Sequence, residues 1–350
     1  MDSGASSNGG SDTQAEDLGT TRVTVGIPTY NRSSWLREAM ESVLAQSYED
    51  FRLLICDNAS EDGTRDMVES FRDERIVYSR SPRNIGMVPN FNRVMNLTDT
   101  EYLMVLPDDD ALYPDYLRST VAVLDAHPSV GVVHTGFDVV DHSSTVLHGG
   151  LVMPGSEGFE PRERFLERIM STPIGAVCWS SALLRTRAMV DADGQRPSDE
   201  PYADFPLLMR IALGWDYFSL AAPLVRLRVH EESGTAALGS FIGGDYYVSQ
   251  QPTILFDHRM RFLEEARLEP ERDRRYRALA KRAYLEGSVE TIAARARLGA
   301  RWTSTAVELA RVVRRHPRTL TVGSTWRLIG AQLGGRRAKR AALRVLERAA

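Results

Sequence analysis

Between Arg22 and Pro114 the chain alternates four times between a short apolar run and an amphipathic segment, and this alternation restricts the fold more than any other feature. The runs Arg22–Ile27, Phe51–Cys56, Arg75–Ser79 and Tyr102–Leu106 have strand length and strand composition. After the first, Leu36, Met40, Val43, Leu44 and Ser47 fall on one helical face, with Arg37, Glu38 and Glu41 outside. Ser33 can cap that helix. A short helix carries Met67, Val68 and Phe71, and another runs from about Met87 to Leu97. Strands joined by helices must cross over and lie parallel. The pattern therefore predicts an α/β fold: a Rossmann-like, mostly parallel sheet flanked by helices.

The strands end in chemistry. The fourth runs into Asp108, Asp109 and Asp110, three carboxylates that repel one another and would pay for desolvation near a core. Water or a bound cation relieves them, and Mg²⁺ or Mn²⁺ takes one or two protein carboxylates together with phosphate oxygens. A solvated acidic turn ahead of a helix, with Asp115 in its first turn, is the plainer alternative. At the other strand ends Tyr30 offers a ring to stack on a base, Asp57 an acceptor for a base N–H, and Arg83 a charge for phosphate. Open α/β sheets bind ligands at the carboxyl ends of their strands. No Gly-x-Gly-x-x-Gly follows the first strand, and no Gly-x₄-Gly-Lys-Ser/Thr occurs.

Composition narrows the partners. The net charge of -4 argues against nucleic acid as a general ligand. The two cysteines, Cys56 and Cys178, make neither a disulfide framework nor a zinc site. No apolar run reaches the length of a membrane span, and the N-terminus lacks the pattern of a signal peptide, so a cytoplasmic location is expected. Residues 1–21, mostly Ser, Gly, Asp and other residues with little to bury, read as a disordered tail.

Val-Thr-Val-Gly-Ile-Pro-Thr-Tyr-Asn-Arg, Leu-Leu-Ile-Cys-Asp-Asn-Ala-Ser-Glu-Asp-Gly-Thr, Asn-Ile-Gly and Asp-Asp-Asp-Ala-Leu-Tyr-Pro follow one another in this order. Together they resemble the family 2 glycosyltransferases of the GT-A fold, closely over Val23 to Asp115 and more loosely to His230. The resemblance implies that Pro28, Thr29 and Tyr30 line a nucleobase pocket, with Arg32 in the same donor site and Asp57 bonding the base. It places Arg83 near the diphosphate, Asp109 at the metal, Asp108 at the ribose or the metal, and Asp110 where the family often has Asp or Asn. The family's common Asp-x-Asp-Asp has Pro107 at its first position here. A plain Asp-x-Asp reading would choose Asp108 and Asp110 instead.

The second half reads as an acceptor side. Val130–Val140 is a strand, Gly149–Gly158 a loop, Phe165–Met170 a short helix, and Pro173–Trp179 an apolar strand or part of an acceptor floor. Asp204 stands at the start of a helix with Leu207, Leu208, Ile211 and Ala212 on one face, where an N-cap would serve equally. The resemblance makes it the catalytic base, with Ala203 replacing the Glu usual before it. It also raises His230 from an ordinary histidine to a metal-binding candidate. Arg226 and Arg228 face the diphosphate or alternate outward. Gly234–Gly244 suits a lid, and from Asp245 the pattern is helical, with Leu263, Ala266, Ala278, Leu279, Ala283 and Leu285 as apolar faces. Residues 301–350 hold 12 Lys and Arg against Glu308 and Glu347, a basic stretch that fits anionic lipid at the inner face of a membrane or a solvated helical face.

The expected layout is a tail (1–21), a GT-A catalytic domain (22–244, with a donor half 22–115 and an acceptor half 116–244) and a basic helical C-terminal region (245–350). The expected function is inverting transfer of a sugar from a nucleoside diphosphate, UDP or dTDP, to a hydroxyl of a glycan, a lipid-linked saccharide or a natural product. Mg²⁺ or Mn²⁺ would assist departure of the diphosphate. A sugar-1-phosphate nucleotidyltransferase would need a Gly-rich triphosphate loop that is missing here. A catalytically silent scaffold on the same fold is the other alternative.

Overall fold

The computed structural model describes residues 21–155, 158–173, 176–230, 241–243, 246–248, 252–297 and 312. The expected tail (save residue 21), most of the expected lid, Ile174 and Gly175, and nearly all of the basic stretch 301–350 lie outside the described residues.

β1 (Val23–Thr29), β2 (Phe51–Asp57), β3 (Ile76–Arg80) and β4 (Tyr102–Val105) line up as β3-β2-β1-β4, every neighbour parallel. The joining helices are α1 (Ser33–Leu44), α2 (Thr64–Glu69) and α3 (Met87–Asn96). The apolar runs are continuous because both faces of the sheet are covered. Leu53 and Ile55 enter one buried cluster with Leu36, Met40 and Tyr116, while Leu54 and Cys56 enter the other with Val94 and Phe165. Gly26 lets α3 approach β1, since a Cβ there would lie 2.0 Å from Val94 Cγ1.

The sheet continues differently. β5 (Ala111–Leu112), α4 (Tyr116–Ala126), β6 (Val130–Val140), β7 (Val146–Leu151) and β8 (Gly158–Glu160) are followed by α5 (Arg162–Ser171), β9 (Ala182–Arg185), α6 (Thr186–Asp191), α7 (Asp204–Ile211) and β10 (Asp216–Arg228). The order runs β4-β9-β6-β10-β5, with β7 on β6 and β8 on β10. Only β6 and β10 are parallel here, in a register that shifts around Pro223, which has no N–H to give to the ladder.

Several local expectations change. The Gly149–Gly158 loop is partly strand, because β7 carries on to Leu151. The described part of Pro173–Trp179 holds no strand; β9, just after it, occupies the place between β4 and β6. Asp115 precedes α4 as its N-cap residue, and its carboxylate accepts a bond from Ser47 Oγ at 2.7 Å. Past residue 240, β11 (Phe241–Gly243) pairs antiparallel with β12 (Tyr246–Val248), an aromatic and β-branched composition that favours strand over loop. Among the described residues past 240, helix begins at α8 (Pro252–Ala266), followed by α9 (Pro270–Arg297). Leu255, Phe262, Leu263, Tyr276 and Ala280 join the cluster that holds Leu207 and Leu208, while Ala278 is exposed. Fully buried Arg259 fastens α8 by donating to the carbonyls of Ile169 and Thr172. No described helix is long and apolar enough to cross a membrane.

Candidate active site

The parallel strands β1, β2 and β4 deliver Thr29, Asp57 and the acidic triplet to one edge of the sheet, and the three carboxylates of the triplet meet three different surroundings. Asp108 is held from the first half of the sheet. Thr29 Oγ1 donates to its Oδ2 at 2.7 Å, and Arg32 Nη1 lies 3.3 Å from its Oδ1. Burial first, then the charge of Asp109, push its carboxyl up to about 6.

Asp110 is held from the second half of the sheet. The Arg228 backbone N–H donates to its Oδ1 at 2.8 Å and Ser180 Oγ donates to its Oδ2. Burial, and again Asp109, raise it well above the ordinary carboxylate range. Both of its oxygens are therefore engaged inside the protein.

Asp109 lies between the halves. Its Oδ2 is 3.0 Å from Arg32 Nη1 and 3.1 Å from His230 Nε2, and its backbone carbonyl accepts from Arg228 Nε at 2.9 Å. The His230 ring, 5 % exposed, packs on Trp35 with centroids 4.0 Å apart. Its Nδ1 is buried without a hydrogen-bond partner among the described residues. A carboxylate beside an imidazole that makes no other use of its nitrogens is a donor pair Mn²⁺ or Mg²⁺ accepts when phosphate oxygens complete the shell. Among the described residues no three His, Cys, Asp or Glu side chains form a metal-holding group alone. A cation here would thus need oxygens from a bound ligand.

Arg226 and Arg228 take neither of the roles expected for them. Both turn to Glu38 of α1, and Arg228, 4 % exposed, also donates to the carbonyls of Asp141 and His142 and to Ser144 Oγ. Arg228 thereby clamps the triplet to α1 and to the turn after β6.

The nucleotide candidates are arranged around the same edge. Pro28 and Thr29 are buried at the end of β1, whereas Tyr30 is 45 % exposed. Asp57 is fully buried and already accepts from Tyr78 Oη at 2.6 Å and from the Ser60 N–H at 2.9 Å, with Arg80 Nε at 3.4 Å. Arg83 is exposed, and its side chain makes no ion pair among the described residues.

Asp204 opens α7. Burial lifts its carboxyl to about 6 against the opposing pull of the Asp204 and Phe205 backbone N–H groups. The residue is partly closed to solvent. Burial pushes the Cys178 thiol up to about 12, with Asp110 and then Asp204 adding to the effect. Ser180, Trp35 and Glu38 carry no sequence signal for these roles. At most, Trp35 was an aromatic standing off the Leu36–Met40 face of its helix.

A cavity also lies elsewhere. It measures about 610 Å³ and is lined by Thr100, Glu101, Arg185 and Trp215 among others, before β4 and β10 begin rather than where β4 ends. At the triplet, adjacent enclosed carboxylates converge with an imidazole and a guanidinium, an arrangement that functional sites favour.

Residues 24–191 match the family model described as Glycosyl transferase family 2. EpsE of Bacillus subtilis (strain 168) is 30% identical over 136 residues, which cover 38% of this chain and 48% of that protein. The abequosyltransferase RfbV of Salmonella typhimurium is 34% identical over 123 residues, covering 33% of this chain and 37% of that one. The chain spans less than half the length of these curated relatives. Among solved structures, S. aureus TarS in complex with UDP-GlcNAc superimposes with a TM-score of 0.61 at 16% identity, over 94% of this chain and 89% of that one. The mannosyltransferase PcManGT from Pyrobaculum calidifontis, in complex with GDP-Man and Mn²⁺, gives 0.52 at 18% identity, over 92% and 86%. At these identities the likeness establishes the fold, which is GT-A.

Proposed function

Residues 24–191 belong to glycosyl transferase family 2, and on that premise we propose that the protein transfers a sugar from a nucleoside diphosphate to an acceptor hydroxyl with inversion. One observation carries the reading: Asp109, at the carboxyl end of β4, holds its carboxylate between Arg32 and His230, next to the end of β1, where Tyr30 is exposed. Complexes of TarS with UDP-GlcNAc and of PcManGT with GDP-Man and Mn²⁺, on the same fold, support a nucleotide-sugar donor and a divalent cation.

In this reading Tyr30 stacks on the base at the end of β1, and Asp57 bonds it from β2. The buried carboxylate of Asp57 would accept from the base alongside Tyr78. The base is uracil or thymine. Arg83 and Arg32 meet the diphosphate with charge-assisted hydrogen bonds. Asp109 and His230 are the residues that would hold Mn²⁺ or Mg²⁺, which when bound neutralises charge on the departing diphosphate. Asp108 and Asp110 hold the loop in shape.

Asp204 takes the acceptor's proton. A carboxyl at about 6 is ionised at neutral pH, yet more basic than an ordinary carboxylate. Attack from the face opposite the leaving diphosphate inverts the anomeric centre in one displacement. No covalent intermediate is needed, and Cys178, with its thiol held protonated, is no nucleophile.

Calorimetry of UDP, dTDP and GDP, each with and without Mn²⁺, tests the donor site on the wild type and Asp109→Asn. One nucleotide is expected to bind in a Mn²⁺-dependent way and to lose that dependence in the variant. Binding of no nucleotide under any condition would remove the basis of the proposal.

A further inference from the structure

We infer that Arg32 couples the two ligands of the donor site, acting as the resident counter-cation of Asp108 and Asp109 until a nucleoside diphosphate draws it away and opens Asp109 to a divalent cation. The inference rests on the donor-site reading above and adds a linkage that the reading does not contain.

The geometry supplies the argument. A single nitrogen, Arg32 Nη1, lies 3.0 Å from Asp109 Oδ2 and 3.3 Å from Asp108 Oδ1. The two carboxylates are 11 % and 8 % exposed, too enclosed for water alone to screen adjacent negative charges. Without a counter-ion the pair would be costly, so the guanidinium stabilises the empty site. Yet it does so at the same Asp109 oxygen that faces His230 Nε2, the oxygen a shared metal would use. A guanidinium and a divalent cation cannot both contact that oxygen without strong repulsion. Occupancy of this position is therefore an either-or choice.

Arg32 is also able to leave. Its side chain is 26 % exposed at the junction of β1 and α1, and its guanidinium carbon lies 5.7 Å from the Trp35 ring, a face that accepts a planar cation. Its planar fork suits diphosphate oxygens better than a carboxylate shared with a neighbour. A nucleoside diphosphate would thus attract Arg32 and, in the same step, uncover Asp109. By linkage each ligand then tightens the other by the same factor.

The test uses the full chain, with Mn²⁺ alone, UDP alone and both together. Free Mn²⁺ is read by electron paramagnetic resonance and UDP by calorimetry. In the wild type Mn²⁺ alone should bind weakly, and UDP should tighten it at least about tenfold. In Arg32→Gln, Mn²⁺ alone should bind about tenfold tighter than in the wild type, and the tightening by UDP should shrink towards unity. A residue serving only to support the fold would weaken both ligands instead. Arg32→Lys keeps a charge on a shorter side chain that does not reach as far as Arg32 Nη1, so Mn²⁺ alone should gain about threefold. This variant carries the test if Arg32→Gln does not fold. Equal Mn²⁺ affinity in the wild type and in every folded Arg32 variant overturns the coupling while leaving the donor site standing. Failure of Mn²⁺ to bind any of them, with UDP still bound, overturns the coupling and the cation together.

Discussion

In the first half of the sheet, β1, β2, β3 and β4 follow one another along the chain with one helix between each, and each runs parallel to its neighbours among these four. In the second half, strands distant in sequence pair in both senses, and β10 alone touches β5, β6 and β8. The acidic triplet lies where these two constructions meet. Its first carboxylate is secured by Thr29 at the end of β1 and by Arg32 just beyond it, its third by Ser180 and by Arg228, 118 positions away, and its middle one from both sides. The difference teaches why three identical side chains in a row need not share a role. Asp108 and Asp110 are tied inward by opposite halves, and only Asp109 is left at the opening between them.

The predictions probe that division, beginning with the largest effect. Asp204→Asn separates the halves functionally. Transfer should fall about a thousandfold while UDP affinity stays within a factor of about two, measured by product formation and calorimetry. A parallel loss of UDP affinity would show that the halves are not independent.

Arg228→Met attacks the junction itself. Removing a buried guanidinium that serves Glu38, two carbonyls and the Asp109 backbone should cost about 3 kcal/mol in urea unfolding.

Asp110→Asn sharpens the contrast within the triplet. The amide can still accept from the Arg228 N–H and can donate to Ser180, so Mn²⁺-dependent nucleotide binding should survive, unlike in Asp109→Asn. The folded protein holds the Asp110 proton more tightly than the unfolded chain does, so ionisation opposes folding as pH rises above the ordinary carboxylate value. The variant should therefore melt higher than the wild type at pH 7.5, and the gain should vanish near pH 4.

The base has its own signature. The transfer rate at saturating donor should rise with pH through about 6, where Asp204 becomes ionised, before reaching a plateau. The smallest effect belongs to the donor half. Tyr30→Ala should weaken UDP about fivefold, roughly 1 kcal/mol, without lowering the melting temperature, because the ring is largely open to solvent.

How well each region could be read from sequence follows the same division. The donor strands were legible because a strand buried on both faces is a continuous apolar run, and its helices carry their own periodicity. In the acceptor half β6 and α7 were legible, but β7, β9 and the full length of β10 were not. An antiparallel strand recruited from afar needs no local signature beyond a few apolar residues. The same reason hid Ser180 and Glu38, a small hydroxyl in an apolar turn and an acid on what reads as a solvent face.

By itself the sequence determined that strands and helices alternate, that polar clusters close the strands, and that Asp108, Asp109 and Asp110 form one acidic edge with Asp204 opening a later helix. Those are matters of spacing along the chain, set by contacts a few residues long. Tertiary structure alone decided which carboxylate faces outward, since that choice depends on an arginine of β10, a serine before β9 and a histidine beyond β10 arriving at the end of β4. The three aspartates are identical in chemistry and adjacent in sequence, and the partners brought from distant segments make them different.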